Sequence, residues 1–126
     1  MIKGIEHLGI AAENPDQLAQ WYVRHLDMTI IRDNGQGTIF IAAPCGSVVE
    51  LYPAKTNGER SYDNYTSGIR HLAIEVENFH QEYDRLLENG VEIAAEPVIR
   101  EDLKLVLFRD GEGNLCHLIE RQHPLS

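Results

Sequence analysis

Basic residues are scarce in this chain: 11 Lys and Arg stand against 20 Asp and Glu, a formal net charge of −9. Nucleic acid and anionic membranes both select clustered positive charge, so neither is expected as a partner. Cysteine is nearly absent. Cys45 and Cys116 alone do not make a disulfide framework, and a reducing cytoplasm is the expected setting. No apolar run approaches the roughly 18 residues of a spanning helix. The opening MIKGIEHLGIAAENPD also lacks the apolar stretch of a secretory signal. A glycine-rich phosphate loop, a Walker sequence and a serine nucleophile elbow are missing too.

What is present is one domain's length of sequence, 126 residues of which 43% are apolar, enough for a core without disulfide or metal staples. The chain also repeats itself. Placing IEHLGIAAENPDQL (5–18) over IRHLAIEVENFHQE (69–82) at a shift of 64 gives seven identities in fourteen positions. They are Ile5/Ile69, His7/His71, Leu8/Leu72, Ile10/Ile74, Glu13/Glu77, Asn14/Asn78 and Gln17/Gln81. A second match, GSVVEL (46–51) over GNLCHL (113–118), occurs at a shift of 67, three residues more, which is an ordinary change of loop length. Two copies of this size make a duplicated module rather than a solenoid.

Each copy opens with an alternating apolar run, 5–12 and 69–76, that reads as a strand. A helix start follows. Asn14 is an N-cap with Pro15 in the first helical position and Gln17 three residues on, and Asn78 with Gln81 repeats the pattern. Leu18, Trp21, Tyr22 and Leu26 make the apolar stripe of a helix over 15–26; Phe79, Tyr83, Leu86 and Leu87 make the second, which Gly90 ends. Three short strands are then expected in each copy, at 28–33, 38–42 and 47–52, and at 92–95, 103–109 and 114–120. The fold class is therefore α+β, two tandem β-α-β-β-β modules over about 1–56 and 66–126. PAKTNGERSYDNYTSG (53–68), with Tyr62 and Tyr65, connects them as a surface linker.

Strand parity places the chemistry. If Leu8, Ile10, Leu72, Ile74 and Val76 lie under the helices, then His7, Gly9, His71, Ala73 and Glu75 face the other way. Likewise Val49, Leu51, Cys116 and Leu118 pack inward and leave Val48, Glu50, Tyr52, Leu115, His117 and Ile119 opposite. His7, Glu50, His71 and His117 thus occupy repeat-related positions on the open side. Three imidazoles and a carboxylate suit Zn, Ni, Co, Mn or Fe, which such donors separate poorly. One strand histidine by itself is usually an ordinary hydrogen-bonded residue. Glu50, within the apolar VVELY, is harder to explain that way, because burying an unpaired carboxylate is costly. His25, His80 and His123 are expected to be solvated, Cys116 to be a small core residue, and Cys45 to have no activating neighbour.

With this pattern, the chain resembles the vicinal oxygen chelate superfamily of glyoxalase I, methylmalonyl-CoA epimerase, fosfomycin-resistance enzymes, extradiol dioxygenases and bleomycin-binding proteins. The resemblance rests on His7 in EHLGI, Glu50 in VVELY, His71 in RHLAIEV and the turn RDGEGNLCHLIE, and it covers essentially the whole chain. It implies a single domain over 1–126, an open, cup-shaped eight-stranded mixed sheet, one divalent metal, a small-molecule substrate and a homodimer. The family's last ligand usually follows an aspartate–glycine turn as glutamate; the matching position here is His117. Glu120 is the alternate, on the face of Cys116 and Leu118. Ala11 stands where glyoxalase I carries an arginine for the glutathione carboxylate.

Four protein ligands would close a tetrahedral zinc site, so catalysis needs a five- or six-coordinate ion that keeps places for substrate oxygens. Such an ion stabilises charge developing on an enolate or enediolate while a carboxylate removes the α-proton. Glu50 and Glu75 are the candidate bases, with Tyr52 as a hydrogen-bond donor beside Glu50. The expected function is that of a metal-dependent isomerase, lyase or epimerase like glyoxalase I (lactoylglutathione lyase). The alternatives are an extradiol-type dioxygenase and a non-catalytic small-molecule or antibiotic-binding protein. A fosfomycin-type transferase would need cations for a phosphonate; Lys104 and Arg109 are available, though as surface charges they need no such role.

Overall fold

The asparagines that open each helix cap it as the sequence predicts. Asn14 Oδ1 accepts the Gln17 amide at 3.0 Å, and Asn78 Oδ1 accepts that of Gln81 at 3.2 Å. Each side chain thereby satisfies one of the amides a helix start leaves without a partner. The computed structural model describes residues 1–58 and 63–126, so Tyr62 of the connector lies outside the described residues. The elements run β1 (Leu8–Ala12), α1 (Pro15–Leu26), β2 (Thr29–Asp33), β3 (Ile39–Ala42), β4 (Val48–Pro53), β5 (Leu72–Glu75), α2 (Phe79–Glu88), β6 (Val98–Ile99), β7 (Leu103–Arg109) and β8 (Leu115–Arg121). Among the described residues no helix is long and apolar enough to cross a membrane.

The chain divides into two compact units, Met1–Gly58 and Glu59–Ser126, each carrying one copy of the repeat. The first holds a four-stranded sheet in the order β1-β4-β3-β2, the second a sheet in the order β5-β8-β7-β6. In each, the first strand pairs in parallel with the last and the other neighbours are antiparallel, so both sheets are mixed. The registers coincide as well. Gly9 pairs with Glu50, and Ala73 with His117, as the two shifts of the repeat require. Phe40 pairs with Glu50, and Leu107 with His117, in the same manner.

Apolar alternation builds both cores. In the first unit Leu18, Ala19 and Tyr22 of α1 are buried with Ile39, Ile41, Val49 and Leu51. In the second, Phe79 and Leu86 of α2 are buried with Val106, Phe108, Cys116 and Leu118. α2 ends as Gly90 takes φ +70°, where glycine carries no steric penalty. The amides of Gly90 and Val91 then close on Leu87 and Leu86 carbonyls at 3.1 and 3.0 Å.

Two expectations need correction. Residues 92–95 do not form a strand: Ile93 makes one isolated bridge to Phe108, and regular pairing resumes only at Val98. Pro97 lies between, where no amide is available for the ladder. The corresponding edge strand of the first unit is also irregular, with a bulge between Ile30 and Arg32. His25 is buried, not solvated, with its ring 4.8 Å from that of Trp21. It lies on the face of α1 that also buries Leu18 and Tyr22, one turn beyond Trp21.

Candidate functional site

In the first unit the open face of the sheet carries a connected set of side chains. Register sets Gly9, Glu50, Phe40 and Arg32 side by side across β1, β4, β3 and β2. His7, just before β1, reaches the same surface. Its Nε2 lies 3.8 Å from Oε1 of Glu50, and its Nδ1 lies 2.8 Å from Oε1 of Glu6. The His7 and Phe40 rings make a T-shaped contact at 5.9 Å between centroids, with the planes 82° apart. The Arg32 guanidinium carbon stands 5.8 Å from the centre of the Phe40 ring, in cation–π range. Tyr52 lies over Gly9, where a Cβ would come 3.2 Å from its Cε1 and 3.8 Å from Glu50 Oε1. The room that the glycine leaves beside the histidine is thus occupied by the tyrosine ring.

The second unit presents a different pair at the equivalent positions. The rings of His71 and His117 stack with centroids 3.7 Å apart and planes within 10°. His117 is buried even though it faces away from α2, and its Nε2 is buried without a hydrogen-bond partner among the described residues. Burial, and secondarily the charge of His71, push its pKa down to about 4. At neutral pH it is therefore an uncharged imidazole with one nitrogen unsatisfied, a state that costs about 1–3 kcal/mol unless something engages the nitrogen. His71 is exposed, and its Nδ1 is 2.7 Å from Oδ1 of Asn64. Glu75, paired with Ile119, lies exposed at the end of β5.

Glu120 has other work. Its Oε1 accepts the Phe79 amide at 2.8 Å, so the carboxylate sits at the start of α2, on the face of Cys116 and Leu118. This is the side that parity assigns to it, and the helix N-terminus stabilises its negative charge. The turn before β8 is built round Asp110, whose buried carboxylate accepts the amides of Glu112 and Asn114, both at 2.9 Å. The same two backbone hydrogen bonds close this turn and its counterpart in the first unit. Asp110 N–H meets Asn114 O and Gly113 N–H meets Asp110 O, as Ala43 meets Ser47 and Gly46 meets Ala43. Gly113 and Gly46 adopt φ +89° and +102°, which fixes where β8 and β4 begin.

The donors suit a divalent first-row metal. Two ligands on one ion can stand at most roughly 4.2 Å apart, given bonds of about 2.1 Å, and the His7–Glu50 separation of 3.8 Å lies inside that span. Within the second unit, the unsatisfied Nε2 of His117 is a donor of the same chemical type. His71 and His117 stack nearly parallel, so if both were to hold one ion, one of the two rings would turn. Among the described residues no three His, Cys, Asp or Glu side chains are grouped so as to hold a metal ion. Glu6, Phe40, Arg32 and Asn64 escape sequence reasoning. Phe40 and Arg32 share the Glu50 row only through register, and Asn64 belongs to a segment whose composition reads as linker.

Residues 4–118 match the family model described as Glyoxalase/Bleomycin resistance protein/Dioxygenase superfamily. An uncharacterized protein of Shewanella frigidimarina (strain NCIMB 400) is 23% identical over 128 residues, covering 95% of each chain. The crystal structure of a glyoxalase/dioxygenase from Nostoc punctiforme superposes with a TM-score of 0.81 at 15% identity, over 96% of this chain and 92% of that one. The genomically encoded fosfomycin resistance protein FosX of Listeria monocytogenes gives a TM-score of 0.77 at 17% identity, over 99% and 97%. At such identities the structures share the fold, while the family match spans nearly the whole sequence. The chain belongs to the glyoxalase/bleomycin resistance protein/dioxygenase superfamily.

Proposed function

We propose that the protein is a divalent-metal-dependent isomerase, lyase or epimerase, glyoxalase I-like in its chemistry, with His7, Glu50, His71 and His117 as ligands. The observation that carries this reading is His117, a buried neutral imidazole whose Nε2 has no protein partner among the described residues. Zn, Ni, Co, Mn or Fe, when bound, supplies a Lewis acid that polarises a substrate carbonyl. Glu50, half-buried between the apolar Val49 and Leu51, is the carboxylate placed to take the proton α to that carbonyl. Glu75 is the second candidate base, and its exposure gives it the lesser claim. Phe40 and Arg32 extend the face beyond His7, offering an apolar surface and a cation to the remote part of a small organic anion. Those two residues also favour a second reading, a non-catalytic binder of such a molecule.

Metal analysis of the purified protein beside His7→Ala, Glu50→Ala and His117→Ala tests the ligand set. Near-stoichiometric metal in the wild type and loss of most of it in each variant is the expected result. Full occupancy in all three variants would refute it. Turnover of methylglyoxal with glutathione in the Ni, Co and Zn forms then separates the enzyme from the binder, and oxygen uptake with a catechol on the Fe form would mark a dioxygenase instead.

A further inference from the structure

A histidine that binds metal through Nε2 must carry its proton on Nδ1, and some acceptor has to hold that proton there. His71 has one. Its Nδ1 is 2.7 Å from the side-chain oxygen of Asn64, seven residues earlier. Asn64 is itself held in place. The Asp63 carboxylate accepts the amides of Tyr65 and Thr66 at 2.7 and 2.8 Å, and the Thr66 hydroxyl donates to it at 2.8 Å. The Tyr65 amide foremost, with the two Thr66 groups, holds the Asp63 pKa below its ordinary value, so the loop is organised round an ionised carboxylate. Asn64 is half-buried within this loop.

An amide oxygen this close to Nδ1 needs a hydrogen between them, and only the imidazole can supply it. The Nε2 lone pair of His71 is then left bare. His7 reaches the same state by another route, its Nδ1 lying 2.8 Å from the Glu6 carboxylate while Nε2 faces Glu50. Two histidines at equivalent positions of the repeat thus have the same nitrogen tied back by unrelated partners. We infer that Asn64 is a positioning residue that fixes the Nδ1–H tautomer of His71 and so presents its Nε2 to the metal. The inference rests on the metal reading given above.

Nitrogen-15 spectra of histidine-labelled, metal-free protein at pH 8 test it directly, with the His71 signals assigned by their loss in His71→Gln. The wild type is expected to show the proton on Nδ1. Asn64→Ala is expected to move much of the population to Nε2–H and to weaken Zn or Ni binding about 10- to 100-fold. Asn64→Asp, which keeps the acceptor, should restore both. A wild-type His71 with its proton on Nε2 would overturn the inference, since the amide would then be donating to Nδ1. An unchanged tautomer and unchanged affinity in Asn64→Ala would overturn it equally. If the tautomer shifts as expected but neither protein binds metal, the metal reading falls alone, and the control of His71 by Asn64 stands.

Discussion

Acid should destabilise the metal-free protein through His117 in a defined window. The group titrates at 6.5 in an unfolded chain and at about 4 in the folded one, chiefly because the imidazolium would be desolvated. Above pH 6.5 both states hold a neutral ring, and His117 adds no pH dependence. Between 6.5 and 4 the unfolded chain binds a proton that the folded chain refuses, so stability falls by about 1.4 kcal/mol for each pH unit of acidification. Below 4 both states are protonated and the loss levels off at about 3 kcal/mol. His117→Leu removes this titration together with the unsatisfied Nε2. At pH 7.5 its stability is expected to lie within about 1 kcal/mol of the wild type, because a lost ring contact is offset by relief of an unsatisfied polar atom. Urea unfolding of the chelator-treated proteins at pH 7.5, 6, 5 and 4.5 measures the difference, and the other titrating groups cancel in the comparison. The wild type should lose about 2–3 kcal/mol relative to the variant across that range. Parallel stability curves would refute the argument, because they would mean that folding does not strip water from His117.

Glu120→Ala is expected to cost about 1 kcal/mol of stability by uncapping α2, while metal content stays at the wild-type level; an emptied site would make Glu120 a ligand after all. Leu51→Ala and Leu118→Ala, at equivalent positions of the repeat and each almost fully buried, should each lower stability by about 2–5 kcal/mol. Urea midpoints that move by less than 1 kcal/mol equivalent would show that these strands do not anchor their cores.

The duplication, both N-caps, the limits of α1 and the inward and outward sides of β1, β4 and β5 could all be read from the sequence. Their causes are local: Asn14 and Asn78 meet amides three residues away, and alternation follows from the pleat of a strand. Parity placed Glu120 correctly on the side of α2, and it placed Glu50 and His117 on the other. It did not foresee that β8 would be buried on both sides, from Leu115 to Leu118, because burial depends on what covers a strand rather than on its pattern. The break at 95–97 went unseen for a similar reason, since the Ile93 bridge and the Val98 pairing are set by β7. Asn64 comes beside His71 through closure of a loop only seven residues long, and the row Arg32–Phe40–Glu50–Gly9 is aligned by strand register. Neither loop closure nor register is encoded by local propensity. Sequence alone therefore determined which donors the protein owns and which side of a strand each takes, while the tertiary structure decided which atoms hold those donors in place.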